Sequence, residues 1–352
     1  MRAVVFPRSD EYELTEVPDP ASGPDEVIVS VKATTICATD VKILHGTVPF
    51  VKYPHIPGHE WGGEVVEVGS NVKDLKKGDL VGVEAHVGCG KCPRCFEGMY
   101  NLCENYGHPE MGHAHIGFTV PGGLAEYCAI PAKAAHLMPE GLNADQAAFT
   151  DTVGIVLWAF ERAGGVRGGE SVAIVGPGAL GLLAVQVARA LGAGRLIVVG
   201  VSEDKQRLEL ARQMGADDIV IVEQDIDSAQ VVRDMTDGKG VDLVVEFAGS
   251  AEAGRQSLEM ARRGGRVVLG GATSPGRELN VDLSVIVRGH LDVCGSVANP
   301  KRVSHRANVM MQKGLVDVAP LITHQMSLSD FPKAWEMFLK RDGDPIRIMM
   351  CP

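Results

Sequence analysis

The chain has 352 residues, of which 45% are hydrophobic and 22% are charged. This length predicts two domains, and the composition is typical of a soluble globular protein. The net charge of -11, without a basic run, argues against nucleic acid or an anionic membrane as the main partner. No apolar stretch reaches the length of a membrane span, and the N-terminus lacks the apolar core of a signal peptide, so we expect a cytoplasmic protein.

The first 150 residues are predicted to form a β-rich domain. Short β-branched runs occur at VIVSVKAT (27–34), GGEVVEVG (62–69) and DLVGVEA (79–85). Gly, Pro, Asn and Asp separate these runs, as expected for strands joined by turns.

Residues 89–103 read CGKCPRCFEGMYNLC, with the spacing C-x2-C-x2-C-x7-C. Short Cys-x2-Cys turns bring sulfurs together without strain, and four thiolates with no open position are typical of a structural zinc site. An iron–sulfur cluster and a pair of disulfides are the alternatives. The expected cytoplasmic location favours a metal over disulfides. The predicted zinc ligands are Cys89, Cys92, Cys95 and Cys103.

A second metal site is suggested by ICATD (36–40) and PGHEWGGEVVEVG (57–69). Cys37 offers a thiolate, His59 an imidazole and Glu60 a carboxylate. A catalytic zinc has three protein ligands and one open position, so another ligand must come from elsewhere, and Asp151 in AFTDTVG is a candidate. Taken singly these residues are weak signals, because a lone Cys or His is more often structural.

Apolar strands and amphipathic helices alternate from residue 151 to 295. SVAIVG (171–176), a helix over 179–193 and RLIVVG (195–200) begin the series, which predicts an α/β fold with a doubly wound parallel sheet. The last strand, in IRIMM (346–350), could pair back with the first domain.

The loop after the first of these strands has the pattern G-x-G-x-x-G between a strand and a helix. In this context the pattern predicts a dinucleotide site, with the pyrophosphate at the helix N-terminus. An ordinary glycine-rich turn is the alternative. The predicted contacts are Gly176, Pro177, Gly178, Ala179, Leu180 and Gly181.

The end of the second strand bears on the choice of cofactor. Gly200 stands where NAD-specific proteins usually have an acidic residue for the ribose. Ser202, Lys205 or Arg207 could receive a 2′-phosphate, whereas the acidic pair at 203–204 would repel it, so NAD and NADP both stay open. The groove should also be lined by later strand ends, at Phe247, Ala248, Gly249, Gly270, Gly271, Ala272 and Ser296–Ala298.

We call residues 89–103 the cysteine lobe. The chain resembles the zinc-dependent medium-chain alcohol and polyol dehydrogenases along its whole length, because it contains, in the family's order, CATD, GHEWGGEVVEVG, the cysteine lobe and GPGALG. The resemblance implies a GroES-like catalytic domain (1–150, completed by 296–352) and a Rossmann cofactor domain (151–295). It also implies two zinc ions per chain, NAD or NADP as cofactor, and reversible oxidation of a secondary alcohol or polyol to a ketone. Family members are commonly homodimers or homotetramers.

The resemblance also assigns roles to individual residues. Cys37, His59 and Asp151 would hold the catalytic zinc, and Glu60 would lie beside it. Thr39 would take the proton from the substrate hydroxyl.

Further assignments concern residues around this set. Asp40 could orient His59 or simply cap a helix, and Arg347 could contact the pyrophosphate or be a solvated strand arginine. Lys42 stands where many relatives have the histidine that completes the proton relay, so water, a ribose hydroxyl or His45 could serve instead.

The sequence says least about the substrate. Trp158, Phe50 and the loop with His108, His113 and His115 could face the cleft, although the histidine run is expected to be polar surface. Glu84 could bind a polyol, with a strand-end charge as the simpler interpretation. The alternative functions are an NADPH-dependent aldehyde or ketone reductase and a non-catalytic zinc- and nucleotide-binding protein of the same fold.

Overall fold

The structure is a computed structural model that describes residues 1–223, 226–271 and 278–352. Ala272, expected at the cofactor groove, therefore lies outside the described residues. The chain forms two compact units. We call Met1–Gly154 with Ala298–Pro352 the β-rich unit, and Ile155–Val297 the α/β unit. Among the described residues, no helix has both the length and the apolar character to cross a membrane.

The strands are numbered in chain order. They are β1 (Arg2–Val5), β2 (Glu13–Glu16), β3 (Glu26–Thr35), β4 (Trp61–Val68), β5 (Leu80–Val83), β6 (His86–Val87), β7 (Ala114–His115), β8 (Tyr127–Pro131), β9 (Ala135–Leu137), β10 (Ser171–Val175), β11 (Arg195–Val201), β12 (Asp218–Val222), β13 (Val241–Glu246), β14 (Ala261–Leu269), β15 (Asp292–Gly295), β16 (Ile322–Ser327) and β17 (Arg347–Cys351).

The α-helices are numbered in the same way. They are α1 (Ala38–Leu44), α2 (Pro93–Phe96), α3 (Ala144–Ala147), α4 (Thr150–Arg162), α5 (Ala179–Ala190), α6 (Lys205–Gln213), α7 (Ser228–Asp234), α8 (Ala251–Met260), α9 (Leu283–Gly289), α10 (Lys301–Gln312) and α11 (Phe331–Lys340).

The β-rich unit is built on a mixed sheet with the strand order β16-β17-β3-β4-β5-β9, and β8 also pairs with β3. Strand β3 lies against β4 and β8 in antiparallel register, and its alternating valines are buried in the core with Trp61 and Ile130. The C-terminal strand β17 pairs with β3, with Met349 opposite Thr35. The suggested return of the last strand to the first part of the chain is therefore confirmed.

The α/β unit contains a parallel sheet with the order β12-β11-β10-β13-β14-β15. This order reverses next to β10, the first strand, which is the arrangement of a dinucleotide-binding sheet. Strand β10 is almost wholly buried and therefore reads as a continuous apolar run, as a strand covered on both faces must. The predicted fold class, a β-rich domain with a doubly wound parallel sheet, is confirmed.

Candidate functional site

Cys37 lies directly before helix α1 and is its N-cap residue. The carboxylate of Asp40, at the third helical position, accepts the backbone N–H of Cys37 at 2.9 Å. This capping interaction fixes the turn on which the thiol is carried. Thr39 Oγ1 lies 3.8 Å from Cys37 Sγ, and both residues are only partly buried. The thiol and the hydroxyl therefore face the same half-open space.

His59 and Glu60 lie in the tight segment before β4. Gly58 adopts φ +95°, and a Cβ there would come within 2.6 Å of the backbone of Leu124, so the turn requires glycine. His59 Nδ1 is buried 3.2 Å from Asp40 Oδ1. Burial lowers the pKa of the His59 ring, but the Asp40 carboxylate outweighs it and raises that pKa above its ordinary value. Asp40 thus caps α1 and also lies against the imidazole, so the two interpretations of its role are compatible.

A buried ion pair holds Glu60. The guanidinium of Arg347, at the start of β17, donates to Glu60 Oε1 at 2.8 Å, and Thr35 Oγ1 donates to Oε2. Arg347 is only 8% exposed. The alternative of a solvated strand arginine is therefore wrong.

Asp151 lies in the first turn of α4 and is 5% exposed. Its Oδ1 accepts the backbone N–H of Ala85 at 3.3 Å and the amide of Asn299 at 3.2 Å. Burial and the nearby carboxylate of Glu84 raise the pKa of Asp151 to about 7. The charge of His59 lowers the same pKa.

The structure brings two sets of metal-ligand atoms together among the described residues. The atoms of Cys37, His59 and Glu60 all lie within 4.8 Å of one another, and so do the four sulfurs of the cysteine lobe. Asp151 is not part of the first set, although sequence reasoning made it a ligand and placed Glu60 beside the metal.

The four sulfurs have the spacing of a tetrahedral zinc site. Sγ atoms lie 3.9 Å apart in the pair Cys89–Cys95 and 4.0 Å apart in the pair Cys92–Cys103. Thiolates bound at about 2.3 Å to a tetrahedral zinc are about 3.8 Å from one another. Burial raises the pKa of Cys89, but the backbone N–H of Lys91 and the amide of Asn105 lower it to about 6, whereas burial raises the pKa of Cys95 to about 12. All eight cysteines are free thiols.

The glycines of the loop between β10 and α5 have different structural roles. Gly176 has φ +95°, and a Cβ there would lie 2.7 Å from the backbone nitrogen of Ala248. A Cβ on Gly181 would lie 1.9 Å from the carbonyl oxygen of Gly176. Gly178, the N-cap of α5, faces open space, and no side chain caps the helix. The first turn of α5 therefore presents its N–H groups to a ligand, as a pyrophosphate site requires.

The ends of neighbouring strands meet beside this loop. Glu246, at the end of β13, is 3% exposed and accepts the N–H groups of Gly249 and Gly271. Phe247 donates its N–H to Val175, and Ser296 donates to Leu269, each at 3.0 Å or less. The structure thus gathers the predicted strand-end residues of the α/β unit into one region.

Gly200 is restricted by packing. A Cβ at this position would lie 2.7 Å from Pro177 in the glycine loop. An acidic side chain therefore does not fit here without moving that loop. Ser202 and Lys205, the candidates for a 2′-phosphate contact, are exposed at the start of the segment that leads into α6.

Comparison with known protein families agrees with this geometry. Residues 23–140 match the family described as "Alcohol dehydrogenase GroES-like domain", and residues 179–312 match the family described as "Zinc-binding dehydrogenase". The protein is 36% identical over 342 residues to L-threonine 3-dehydrogenase of Bacillus licheniformis, a match that covers 96% of this chain and 94% of the relative. This chain belongs to the zinc-dependent medium-chain dehydrogenase family.

Other members of this family are similar over the full length. Sorbitol dehydrogenase of Bacillus subtilis is 33% identical, with 100% of this chain and 97% of the relative covered. A Sinorhizobium meliloti protein, described as a zinc-binding dehydrogenase and bound to NADP, has a solved structure with 32% identity and a TM-score of 0.90. That comparison covers 100% of this chain and 99% of the other.

The donor atoms present fit the metals that the family implies. Four thiolates without an open position suit a structural zinc ion, and a thiolate, an imidazole and carboxylates suit a catalytic one. The buried Nδ1 of His59 faces Asp40, an arrangement that leaves Nε2 as the ligand atom and that is common for zinc-bound histidines.

Two expectations about polar residues were wrong. Glu84 is 2% exposed and lies in a buried hydrogen-bond network, so it is not a simple strand-end charge. His113 is 1% exposed and lies 3.2 Å from His86, Nε2 to Nε2, whereas polar surface was expected. His115 stacks on Phe118 with ring centroids 3.7 Å apart, and Phe118 lies 4.9 Å from the ring of His59.

The remaining candidates for the substrate cleft and the proton relay lie in different surroundings. Phe50 is 53% exposed and packs against Tyr106, while Trp158 is buried in α4. His45 pairs with Asp10 at the surface. Sequence reasoning missed Asn299, His86 and Tyr106, because a single Asn, His or Tyr carries no spacing signal.

Proposed function

We propose that this protein is an NAD(P)-dependent zinc dehydrogenase that reversibly oxidises a secondary alcohol or polyol to a ketone. The observation that carries the proposal is the convergence of Cys37, His59 and Glu60, three zinc donors from two separate motifs, in a partly open site. The glycine loop of the α/β unit supports it, because each glycine has the steric role that a pyrophosphate site requires.

Cys37 and His59 would hold the catalytic zinc together with Asp151. Glu60 would lie beside the metal as an exchangeable ligand, since it shares its carboxylate with Arg347. Cys89, Cys92, Cys95 and Cys103 would hold the structural zinc. When bound, the catalytic zinc would lower the pKa of the substrate hydroxyl, and the nicotinamide would accept the hydride.

Thr39 would perform the first proton transfer. Its Oγ1 is close to Cys37 Sγ, so a hydroxyl placed beside that thiolate is within reach. Thr39 would accept the substrate proton while its own proton leaves outward, and the carbinol carbon would then lose a hydride. His45 faces Asp10, so we do not assign it to the relay. Lys42 stands where many relatives have a relay histidine.

Cofactor binding would involve Gly176–Gly181 and the strand ends at Phe247–Gly249, Gly270–Gly271 and Ser296. Gly200 leaves the ribose without the usual acidic partner, and Ser202 and Lys205 are available to a 2′-phosphate. We propose two roles for Arg347. It would contact the pyrophosphate, and it would also hold Glu60 in place beside the catalytic metal, because its guanidinium pairs with the Glu60 carboxylate.

A substrate panel tests the function. Secondary alcohols, polyols and amino alcohols, including sorbitol and L-threonine, are each assayed with NAD⁺ and NADP⁺, and zinc is measured in parallel. We expect reduced cofactor to form with at least one secondary alcohol and two zinc ions per chain. A protein with one zinc per chain and no turnover of any alcohol would refute the proposal.

Two cysteine variants separate the metal sites. Cys37→Ser should abolish turnover and leave the protein folded, because Cys37 lies at a half-open site. Cys92→Ser should mainly lower the melting temperature, because the 6% exposed Cys92 belongs to a closed lobe. Circular dichroism and zinc content check both variants, and the opposite pattern would exchange the two assignments.

We further propose a homodimer in the cytoplasm. Strand β15 lies at one edge of the described parallel sheet. Leu283 and Val287, in the helix α9 that precedes β15, and Val297, two residues after β15, are 69%, 74% and 60% exposed. A second copy could pair with β15 and cover these side chains. Light scattering should show a dimer that Val287→Glu converts to a monomer, and a monomeric wild type would contradict this.

A further inference from the structure

A continuous row of buried polar side chains lies behind Asp151 in the β-rich unit. The amide nitrogen of Asn299 is 3.2 Å from both Oδ1 and the backbone oxygen of Asp151. The backbone oxygen of Asp151 can only accept a hydrogen bond, so the amide nitrogen must face it and the amide oxygen must face the other way. On that side Ser304 Oγ lies 2.8 Å from Asn299 Oδ1.

The row continues to Glu84. Ser304 Oγ is also 2.6 Å from Glu84 Oε2, which His136 Nε2 approaches at 2.9 Å. The hydroxyl of Tyr100 donates to Glu84 Oε1. Tyr100 lies between Cys95 and Cys103, so the row reaches from the cysteine lobe to Asp151.

The backbone is adapted to this row. Ala85, the residue after Glu84, donates its N–H to Asp151 Oδ1 at 3.3 Å. Gly154 lies one turn after Asp151 in α4, where glycine is otherwise unfavourable. A Cβ there would lie 3.0 Å from the Asn299 amide nitrogen and 3.2 Å from Ser304 Oγ. Glycine therefore provides the space that Asn299 occupies.

We propose that Asn299, Ser304 and Glu84 are positioning residues that hold the carboxylate of Asp151 for the catalytic metal, and that Tyr100 links them to the cysteine lobe. This inference rests on the proposed function, in which Asp151 is a metal ligand. The hydrogen bonds described for the side chain all reach Oδ1, which leaves Oδ2 as the ligand atom. Asp151 and Glu84 are both buried, and placing two buried carboxylates near each other lowers the stability of the fold. Their presence therefore indicates a role other than stabilisation.

A matched pair of asparagine variants tests the inference. Asn308 is on the same helix as Ser304 and is 1% exposed, like Asn299, but it accepts from Thr150 instead of contacting Asp151. The purified zinc-loaded enzyme is mixed with a chromogenic chelator, and zinc release from the two sites is followed with time. Asn299→Ala should release the catalytic zinc about 10–100-fold faster than wild type, the range for the loss of a partner of a metal ligand.

Asn308→Ala should lower the melting temperature without speeding that release. If the two variants release zinc equally fast, Asn299 acts on stability alone and the inference is wrong. If wild type carries no second zinc at all, the proposed function fails instead, so the two failures are distinguishable.

Two further variants keep the test decisive if Asn299→Ala folds poorly. Ser304→Ala removes one hydroxyl, and Gly154→Ala pushes the Asn299 amide while favouring the helix. Both should speed release of the catalytic zinc, and wild-type release in both would overturn the proposal. Tyr100→Phe should speed the same release by a smaller factor while the cysteine-lobe zinc is retained, and unchanged release would remove Tyr100 from the row.

Discussion

At the scale of single residues, Glu60 is held in the site by two neighbouring side chains. Its carboxylate is 4% exposed and receives both Arg347 and Thr35. A buried carboxylate is tolerated only when it is paired and hydrogen-bonded. Glu60 therefore lies close to Cys37 and His59, but its carboxylate is already paired by Arg347 and Thr35 and needs no metal ion to balance it. This arrangement suits a transient metal ligand better than a permanent one.

We predict that Arg347→Met lowers the free energy of unfolding by about 3 kcal/mol, because it leaves the Glu60 carboxylate buried without its cation. Glu60→Gln should also destabilise the protein. The double variant should lose less than the sum of the two single losses, since neither charge is then left alone. Urea unfolding of the zinc-loaded protein measures all four forms, and strictly additive losses would show that the pair is not coupled.

At the scale of elements, the strand–loop–helix unit of β10 and α5 would form the proposed cofactor site. Gly181 allows α5 to lie against the loop, and Gly178 leaves its N-terminus open. The two glycines have different steric roles. A side chain at Gly181 would clash with the protein itself, whereas a side chain at Gly178 would enter space that a ligand would fill.

The difference predicts distinct effects of two alanine substitutions. Gly178→Ala should leave the melting temperature unchanged within about 2 °C, since nothing lies within 4 Å of the added Cβ, but it should weaken cofactor binding at least tenfold. Gly181→Ala should lower both, because its Cβ would meet the Gly176 carbonyl. Thermal unfolding and titration calorimetry with NAD⁺ and NADP⁺ measure these effects. Normal binding by Gly178→Ala would place the pyrophosphate elsewhere.

Elements and local motifs were predictable because their signals lie in short segments. The spacing of the cysteine lobe, the glycine loop and the apolar strands each encode local geometry, and the predicted strands β3, β4, β10 and β11 are found within one or two residues. The row behind Asp151 was not predictable. Ser304 and Glu84 are 220 residues apart, and Asn299 and Asp151 are 148 apart. Only the pairing of distant segments brings such polar residues together.

The same reason explains the histidines. A loop with the pattern H-x4-H-x-H is usually exposed, but β7 pairs with β6 and places His115 opposite His86. The pairing buries a group that the sequence alone describes as polar.

At the scale of the whole molecule, this histidine cluster links stability to pH. Burial lowers the pKa of His86 to about 3 and that of His113 to about 4, and it also lowers the pKa of His115 well below its ordinary value. In the unfolded chain these rings titrate near about 6.5. Below that pH the unfolded state binds protons that the folded state excludes, so acid favours unfolding.

We therefore expect the contribution of each ring to be fully present above about pH 6.5 and to decline by about 1.4 kcal/mol per pH unit below it. The decline should end near pH 4 for His113 and near pH 3 for His86, where the folded state takes up the proton as well.

Because zinc ligands also bind protons in acid, the effect is isolated by comparing variants. The free energy of unfolding is measured between pH 6.5 and 4.5, and its slope against pH reports how many more protons the unfolded state binds than the folded state. His113→Leu should reduce this number by about one. Equal slopes for wild type and His113→Leu would mean that His113 is protonated in the folded protein.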